Sequence, residues 1–170
     1  MIIAFQDFRD EEYFIPKNIF FGEGLEVKTV SSKKGKAVGS YGGVIDVDLT
    51  LEDLKVSDFD GIIFVGGSGA AKYIPDEKCH QIARQAVSQD KVLGAICIAP
   101  SILARAGVLK DKKATVWRSA MDKSAVKILE EEGANYQSEP IVIDGKIITA
   151  DGPQSARKFG ETIVRMLIEG

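Results

Sequence analysis

A cysteine stands between small residues where a predicted strand runs into a predicted helix. Cys97 follows the apolar run 92–96 and precedes Pro100, a residue favoured at the first position of a helix. Ala95 and Ala99 lie two positions to either side, as in the G-x-S-x-G turn, where a sharp bend admits only small flanking side chains and exposes the central nucleophile. The spacing predicts a nucleophilic thiol at the sheet edge where open α/β proteins bind ligands.

The position of Cys97 also predicts a reactive thiol. A thiol at the amino end of a helix is close to the positive end of the dipole and to free N–H groups, which lower its pKa. The alternative is a buried cysteine that packs as a small apolar side chain. Cys79 lies on the apolar stripe of a predicted helix and is interpreted as core or as a subunit contact. His80, the single histidine, is interpreted as a surface or edge residue.

A glycine-rich turn follows another apolar run. Gly66, Gly67 and Gly69, with Ser68 among them, can present backbone N–H groups to an anion or an oxyanion. A dinucleotide site is disfavoured, because Lys72 stands where G-x-G-x-x-G has its third glycine. Two interpretations stay open, a cradle for an oxyanion or substrate and a turn that only lets strand and helix meet.

Glu12 is the third candidate. Ile15, Pro16 and Ile19 follow it on the same face of a predicted helix, and a carboxylate on an apolar stripe is unusual. If Glu12 is buried, we expect its pKa to rise, so that the protonated carboxyl can donate a hydrogen bond to a thiolate.

The elements that must position these residues alternate between short apolar runs and amphipathic stretches, a pattern typical of parallel strands with crossover helices. The predicted strands are residues 2–5, 25–31, 44–49, 61–65, 92–96, 114–117, 141–143 and 147–149. The predicted helices are residues 10–21, 76–89, 100–106, 119–132 and 154–168, with Ser119 as the cap of the fourth. Asp144-Gly145 predicts a hairpin.

Composition excludes several classes of protein. A length of 170 residues predicts a single domain over residues 1–170, and a net charge of −3 argues against nucleic-acid binding.

No apolar run reaches the ~20 residues of a membrane span, and the start is typical of a strand rather than a signal peptide. Two cysteines favour a reducing compartment, so we expect a cytoplasmic protein. A single histidine makes a metal site unexpected.

Taken together, these motifs resemble the ThiJ/PfpI superfamily, which contains intracellular peptidases and the parkinsonism-associated deglycase. The resemblance rests on Glu12 with Pro16, on the Gly66-Gly67 pair and on Ala95-Ile96-Cys97. It implies a flavodoxin-like, glutamine-amidotransferase-like fold, in which helices sandwich a mostly parallel sheet. It also implies a homo-oligomer, a dimer or larger, that acts on a small molecule without a cofactor.

The resemblance further implies a role for each matching residue. Cys97 falls on the nucleophile and Glu12 on the acid that hydrogen-bonds it. Gly66 and Gly67 fall on the oxyanion side, and the backbone N–H of Ile98 is expected as a second oxyanion donor.

Three positions depart from the family pattern. Ile98 stands where the peptidase branch has its histidine, and Ala71 where that branch has a further acid. Trp117 stands where the deglycase branch has a histidine, which makes it a further candidate site residue. Next to it, Arg118 is expected to form a polar mouth together with Asp151.

Three functional hypotheses follow from the resemblance. The first is a cysteine-dependent enzyme on small reactive carbonyls or their adducts, of the glyoxalase or deglycase type. The alternative is a redox sensor whose cysteine is oxidised to a sulfinate, or a chaperone-like stress protein without catalysis. The second alternative is an intracellular cysteine peptidase or amidase, which Ile98 disfavours. A binding domain with an incidental cysteine also stays open.

Overall fold

Parallel strands joined by helices make up the central layer of the protein. The computed structural model describes residues 1–170. Its strands are β1 (Gln6–Phe8), β2 (Val30–Ser31), β3 (Lys36–Gly39), β4 (Val44–Asp46), β5 (Leu49–Thr50), β6 (Gly61–Phe64), β7 (Val92–Ile96), β8 (Lys113–Ala114), β9 (Asn135–Tyr136), β10 (Ile141–Asp144) and β11 (Ile147–Ala150). Its helices are α1 (Asp10–Gly22), α2 (Glu77–Ser88), α3 (Pro100–Arg105), α4 (Ser124–Glu131) and α5 (Ala156–Glu169).

The central sheet has the order β10-β11-β7-β6, followed by the first residues of the chain, β2 and β5. Strands β11, β7 and β6 are parallel, and the edge strand β10 is antiparallel to β11. The N–H of Ile2 donates to the carbonyl of Ile63 at 2.7 Å, and that of Ile3 donates to Val30 at 2.9 Å, which inserts residues 1–3 between β6 and β2. The α/β class with a mostly parallel sheet is confirmed.

Helices cover both faces of this sheet. On one face, Leu93 and Ala95 of β7 belong to a core cluster with side chains of α2, α3 and α4. On the other face, Val92 and Ile96 belong to a cluster with side chains of α1 and α5. This alternation along β7 is the two-residue period of a strand that is buried on both sides. None of the five helices combines the length and the hydropathy that crossing a membrane requires.

A glycine brings α1 and α5 into close contact. A Cβ at Gly160 of α5 would lie 3.0 Å from Cα of Pro16 and 3.1 Å from Cδ1 of Ile19. Pro16 lies inside α1 and is buried, so the proline is accommodated within the helix against this contact. The close packing fixes α1, and with it Glu12, against the sheet.

Several predicted strands prove shorter than expected. The predicted strand 2–5 contributes only bridges through Ile2, after which the chain moves to a second sheet of order β1-β3-β4. The predicted strand 25–31 is regular only at Val30–Ser31, because Leu25 and Val27 pack against the α1 and α5 cluster instead of pairing. The predicted strand 44–49 is divided between β4 and β5.

Two further predictions required correction. The predicted strand 114–117 ends at Ala114. Helix α4 begins at Ser124, because Ser119 does not cap it and instead accepts a hydrogen bond of 3.0 Å from the N–H of Asp122 in a separate turn. Met121, inside the predicted helix 119–132, precedes α4 and is 97% exposed. The hairpin between β10 and β11 at Asp144-Gly145 is confirmed.

Candidate active site

Cys97 occupies a strained position at the end of β7. Its φ of +63° lies in the left-handed region, which residues with a side chain rarely adopt and which costs on the order of 1–3 kcal/mol. Two hydrogen bonds hold this conformation. The N–H of Cys97 donates to the carbonyl of Ala150 at 2.9 Å, and the N–H of Trp117 donates to the carbonyl of Cys97 at 2.8 Å. The elbow is therefore fixed by the last residue of β11 and by the segment that follows β8.

The residues around the elbow explain the need for small side chains. Ala95 and Ala99 are fully buried, whereas Cys97 itself is partly exposed. Pro100 is the first residue of α3, as the sequence predicts. Larger side chains at the two alanines would have to displace the core that α2 and α3 form with the sheet.

Glu12 projects from α1 into the interior and is 0% exposed. Its Oε2 accepts a hydrogen bond of 2.9 Å from the N–H of Gly66, while its Oε1 is buried without a hydrogen-bond partner of good geometry. Burial raises the pKa of Glu12 to about 7, although its interaction with the Cys97 thiol and the hydrogen bond from Gly66 both act to lower it. The carboxyl is therefore partly protonated near neutral pH.

Gly66 and Gly67 lie where α1, β6 and the elbow meet. A Cβ at Gly66 would lie 2.5 Å from Oε2 of Glu12 and 2.7 Å from Cβ of Cys97. Gly67 has a φ of +106°, and a Cβ there would overlap the backbone N of Arg9. No other residue fits at either position without displacing the site.

The prediction of a stabilised thiolate at Cys97 is wrong. Burial raises the pKa of the thiol above its ordinary range, and the negative charge of Glu12 raises it further. The backbone N–H groups of Ile98 and Gly67 oppose this rise, but they do not outweigh it. Helix α3 has only six residues, so its dipole is too weak to reverse the balance. Cys97 therefore rests as a neutral thiol that must lose a proton when it reacts.

The structure brings Cys97, Glu12, Gly66, Gly67 and Ile98 together. Trp117 approaches through its backbone, and its indole can only donate a hydrogen bond, so it cannot replace a histidine base.

The two remaining candidates lie on α2. His80 was expected at the surface or at an edge. It is 8% exposed, which corrects the first alternative, and its Nε2 lies 2.6 Å from the carbonyl of Ile74. Cys79 is fully buried in the core. No group of three or more histidine, cysteine, aspartate or glutamate side chains is placed to hold a metal ion.

Arg9 is a site neighbour that the sequence analysis missed. Its N–H donates to the carbonyl of Gly66 at 3.0 Å, and its positive charge acts to lower the pKa of Glu12. The guanidinium lies 4.7 Å from the centre of the Tyr41 ring and pairs with Glu11 at 2.7 Å. The sequence does place Arg9 directly before the predicted helix that carries Glu12. No spacing of residues, however, indicates that Arg9 contacts Gly66.

A polar cavity of about 500 Å³ lies beside the elbow, at the carboxyl ends of the strands. Arg118 and Asp151, the residues expected to form a polar mouth, both line it. The other lining residues are Thr115, Val116, Trp117, Ser119, Ala120, Tyr136, Ser138, Glu139, Pro140 and Gln154. A second cavity of about 520 Å³ includes Gly61, at the opposite end of β6, and none of the candidate site residues. Trp117, whose N–H binds the carbonyl of Cys97, lines the first cavity, whereas Cys97 itself lines neither.

Comparisons with known proteins agree over the whole chain. The family model described as DJ-1/PfpI family matches residues 1–166. An uncharacterised protein of Methanocaldococcus jannaschii is 40% identical over 168 residues, which cover 98% of this chain and 80% of that protein. The deglycase PfpI of Pyrococcus furiosus is 28% identical, with 98% of each chain covered. The crystal structure of a ThiJ/PfpI domain protein from Brachyspira murdochii superposes with a TM-score of 0.94 at 30% identity, covering 99% of this chain and 95% of that one.

Proposed function

Because the chain belongs to the DJ-1/PfpI family, we propose that it is a cysteine-dependent enzyme acting on a small reactive carbonyl compound or an adduct of one. The observation that carries the proposal is the pairing of two groups. Cys97 is held in a strained elbow, and the buried Glu12 beside it has a pKa of about 7 and an unpartnered Oε1. The relative named a deglycase supports the substrate class.

Glu12 is suited to take the proton from the thiol. A general base works best when its pKa lies near the operating pH, and a pKa of about 7 meets this condition. Oε2 is engaged with Gly66, which leaves Oε1 to receive the proton from Sγ of Cys97. Removal of the proton during attack explains how a thiol with a raised pKa can serve as a nucleophile.

The addition step then follows. Sγ forms a bond to the carbonyl carbon, and the π electrons of the carbonyl move to its oxygen. The N–H groups of Gly67 and Ile98 lie near the sulfur, where they can stabilise the developing negative charge. The protonated Glu12 returns its proton to this oxygen, which gives a neutral hemithioacetal on Cys97.

With an α-dicarbonyl, the same carboxyl group can complete the reaction. It removes the proton from the hemithioacetal carbon while the adjacent carbonyl oxygen gains a proton, which gives an enediol. It then delivers the proton to the adjacent carbon while the hydroxyl on the sulfur-bearing carbon loses its proton and becomes a carbonyl, which leaves a thioester on Cys97. Water then cleaves the thioester to a hydroxy acid and the free thiol. Methylglyoxal and water together yield lactate, with no external oxidant or reductant.

Consumption of methylglyoxal with formation of lactate tests this proposal. We expect Cys97→Ser to abolish turnover, because serine lacks the nucleophilicity of the thiol, and Cys79→Ser, in the core, to retain it. Equal lactate formation by wild type and Cys97→Ser would refute the cysteine mechanism.

A redox role is the second candidate, and the unpartnered Oε1 of Glu12 favours it. A protonated Glu12 could donate a hydrogen bond to a sulfinate on Cys97, alongside the N–H groups of Gly67 and Ile98. Two equivalents of peroxide would each deliver one oxygen atom and leave as water. Mass spectrometry after mild peroxide treatment should find two added oxygen atoms on Cys97 in folded protein. A Cys97 that gains no oxygen in folded protein under these conditions would contradict this role.

The family resemblance also implies a homo-oligomer, and we propose that one forms. Large apolar side chains that a second copy could cover are exposed at Phe21, Tyr41, Val44 and Ile168. Sedimentation velocity at micromolar concentration tests this, and a monomer throughout that range would contradict it.

A further inference from the structure

The polar cavity beside the elbow contains charged side chains of both signs that are not paired with one another. Arg118, Glu139 and Asp151 line it, and none of the three forms an ion pair. Arg118 uses one nitrogen, Nη2, in a hydrogen bond of 3.0 Å to Ser138, so most of its five N–H donors stay free. One cation and two carboxylates are therefore available to a ligand.

Asp151 is held in a fixed orientation. Its Oδ1 accepts hydrogen bonds from the hydroxyl of Ser155 at 2.6 Å and from Nε2 of Gln154 at 3.2 Å. Both bonds use the same oxygen, which leaves Oδ2 free to face a ligand. A carboxylate that is held in this way loses little side-chain freedom when it binds a cation.

Thr115 supplies an independent indication of a ligand. It lines the same cavity and is 1% exposed, and its Oγ1 has no hydrogen-bond partner in the chain. The N–H of Thr115 donates to Oγ1 of Thr149 at 2.9 Å, so the backbone is satisfied and only the hydroxyl is left. A buried hydroxyl without a partner is costly, so a rotation of the Thr115 side chain that turns Oγ1 towards a polar ligand in the cavity would be favourable.

We propose that this cavity binds a small zwitterion of the α-amino acid class. The carboxylate of the ligand is bound by Arg118, and its ammonium group by Asp151 and Glu139. A simple anion would leave two carboxylates unpaired, and a simple cation would leave the arginine unpaired. A molecule that carries both charges a few ångströms apart satisfies all three.

The dimensions of the cavity suit such a ligand. Its volume of about 500 Å³ is within the usual range for small-molecule sites. Val116, Trp117 and Pro140 provide apolar surface in its wall, against which a short alkyl side chain can pack. The hydroxyl of Thr115 is available to the polar end of the molecule.

The proposed site adjoins Cys97 without including it. Trp117 and Asp151 flank the elbow, since the N–H of Trp117 binds the carbonyl of Cys97 and Asp151 follows Ala150, which accepts from the N–H of Cys97. The proposal does not depend on the reaction proposed for Cys97. For this reason, binding is measured on the Cys97→Ser protein, in which no covalent chemistry at the cysteine contributes.

The probe is L-norvaline, whose two matched halves are pentanoate, which lacks the amine, and butylamine, which lacks the carboxylate. We expect isothermal titration calorimetry to show that L-norvaline binds at least about tenfold more tightly than either half, because only L-norvaline can pair with Arg118 and with the two carboxylates at the same time. Absence of binding, or an affinity no better than that of the tighter half, would overturn the proposal.

Four variants then assign the two charges of the ligand. Arg118→Gln should weaken L-norvaline and pentanoate about tenfold and leave butylamine unaffected. Asp151→Asn and Glu139→Gln should weaken L-norvaline and butylamine but not pentanoate. Arg157→Gln is the matched control, because Arg157 is exposed on α5 and its nearest charged partner is Glu161 at 3.9 Å. Equal effects of Arg118→Gln and Arg157→Gln would refute the assignment.

The variant Thr115→Val tests the contribution of the buried hydroxyl to binding separately from that of the charged side chains. The threonine and valine side chains are nearly equal in size, so we expect the fold to persist, and the thermal unfolding midpoint will check this. The affinity for L-norvaline should fall several-fold. An unchanged affinity in this variant would remove Thr115 from the site. If L-norvaline binds but the wild-type protein does not consume methylglyoxal, this inference stands and the proposed enzymatic function is refuted.

Discussion

The backbone N–H of Gly66 donates a hydrogen bond of 2.9 Å to Oε2 of Glu12, across 54 positions of the chain. This bond holds the carboxyl group of α1 against the turn that faces the elbow and leaves the other carboxyl oxygen without a hydrogen-bond partner. It requires close approach, because a Cβ at residue 66 would lie 2.5 Å from the same Oε2.

Gly66→Ala is therefore expected to damage both stability and reactivity. The added methyl group would press against Glu12, Cys97 and the carbonyl of Ile96, 2.8 Å away, and overpacking of this kind costs about 1–3 kcal/mol. Urea unfolding measures the loss. Gly22→Ala is the control, since a Cβ there meets nothing within 4 Å. Equal stability of the two variants would show that a Cβ at residue 66 fits without displacing its neighbours.

The burial of Glu12 predicts a specific pH dependence of stability. Its pKa rises from 4.5 to about 7 on folding, so the folded protein binds more protons than the unfolded chain between these values. The protonated carboxyl is favoured in the fold, so its contribution is fully present below pH 4.5 and is lost as the pH rises towards 7 and beyond.

Glu12→Gln removes this dependence, because the amide does not titrate. Relative to the variant, the wild type should lose on the order of 3 kcal/mol in free energy of unfolding between about pH 4 and pH 8. Urea unfolding of both proteins across this range measures the difference. Parallel stability curves would contradict the raised pKa of Glu12.

The raised pKa of Cys97 predicts slow alkylation. In a Cys79→Ser background, iodoacetamide should react with Cys97 at pH 8 more slowly than with a free thiol of pKa ~8.5. Glu12→Gln should accelerate alkylation by removing a neighbouring negative charge, although it should impair turnover of methylglyoxal. Mass spectrometry over time measures the rate, with urea-unfolded protein as the reference. If Glu12→Gln slows alkylation, the charge of Glu12 does not govern the thiol.

The strain at Cys97 predicts an unusual ranking of substitutions. At a φ of +63° glycine is free of the steric cost that any side chain bears, so Cys97→Gly should be more stable than Cys97→Ala by about 1 kcal/mol. Asp90, with a φ of +56°, offers the same comparison at a surface site away from the elbow. Alanine more stable than glycine at residue 97 would mean that the left-handed conformation is not maintained in solution.

The sequence allowed the elbow to be predicted because its determinants are local. Two alanines, a proline and a preceding apolar run identify the turn around Cys97, and a helical repeat of apolar residues indicates the burial of Glu12. The pKa of the thiol could not be predicted in the same way. It depends first on how deeply the folded chain buries the thiol, and then on how close α1 brings Glu12 to it. The second distance is fixed in part by the packing of Gly160 against Pro16, which is far from Cys97 in the sequence.

The sequence also left the polar cavity only partly visible. Arg118, next to Trp117, was expected to form a polar mouth together with Asp151. Ser138 and Glu139 were not expected there, because they lie in an irregular segment whose sequence has no periodicity. The unsatisfied hydroxyl of Thr115 can be recognised only when all of its surroundings are known. The hairpin of β3 and β4 was missed in part because glycines 39, 42 and 43 interrupt its alternation.

The contact between Gly160 and Pro16 has a consequence for biosynthesis. Helix α5 follows every other element in chain order, so the ribosome delivers it after both Glu12 and Cys97 have been made. Until α5 docks, α1 lacks the partner that holds it against the sheet. The nascent chain therefore carries its thiol some time before the carboxyl group beside it is held in place, and Cys97 and Glu12 reach their final arrangement only after α5 has been made.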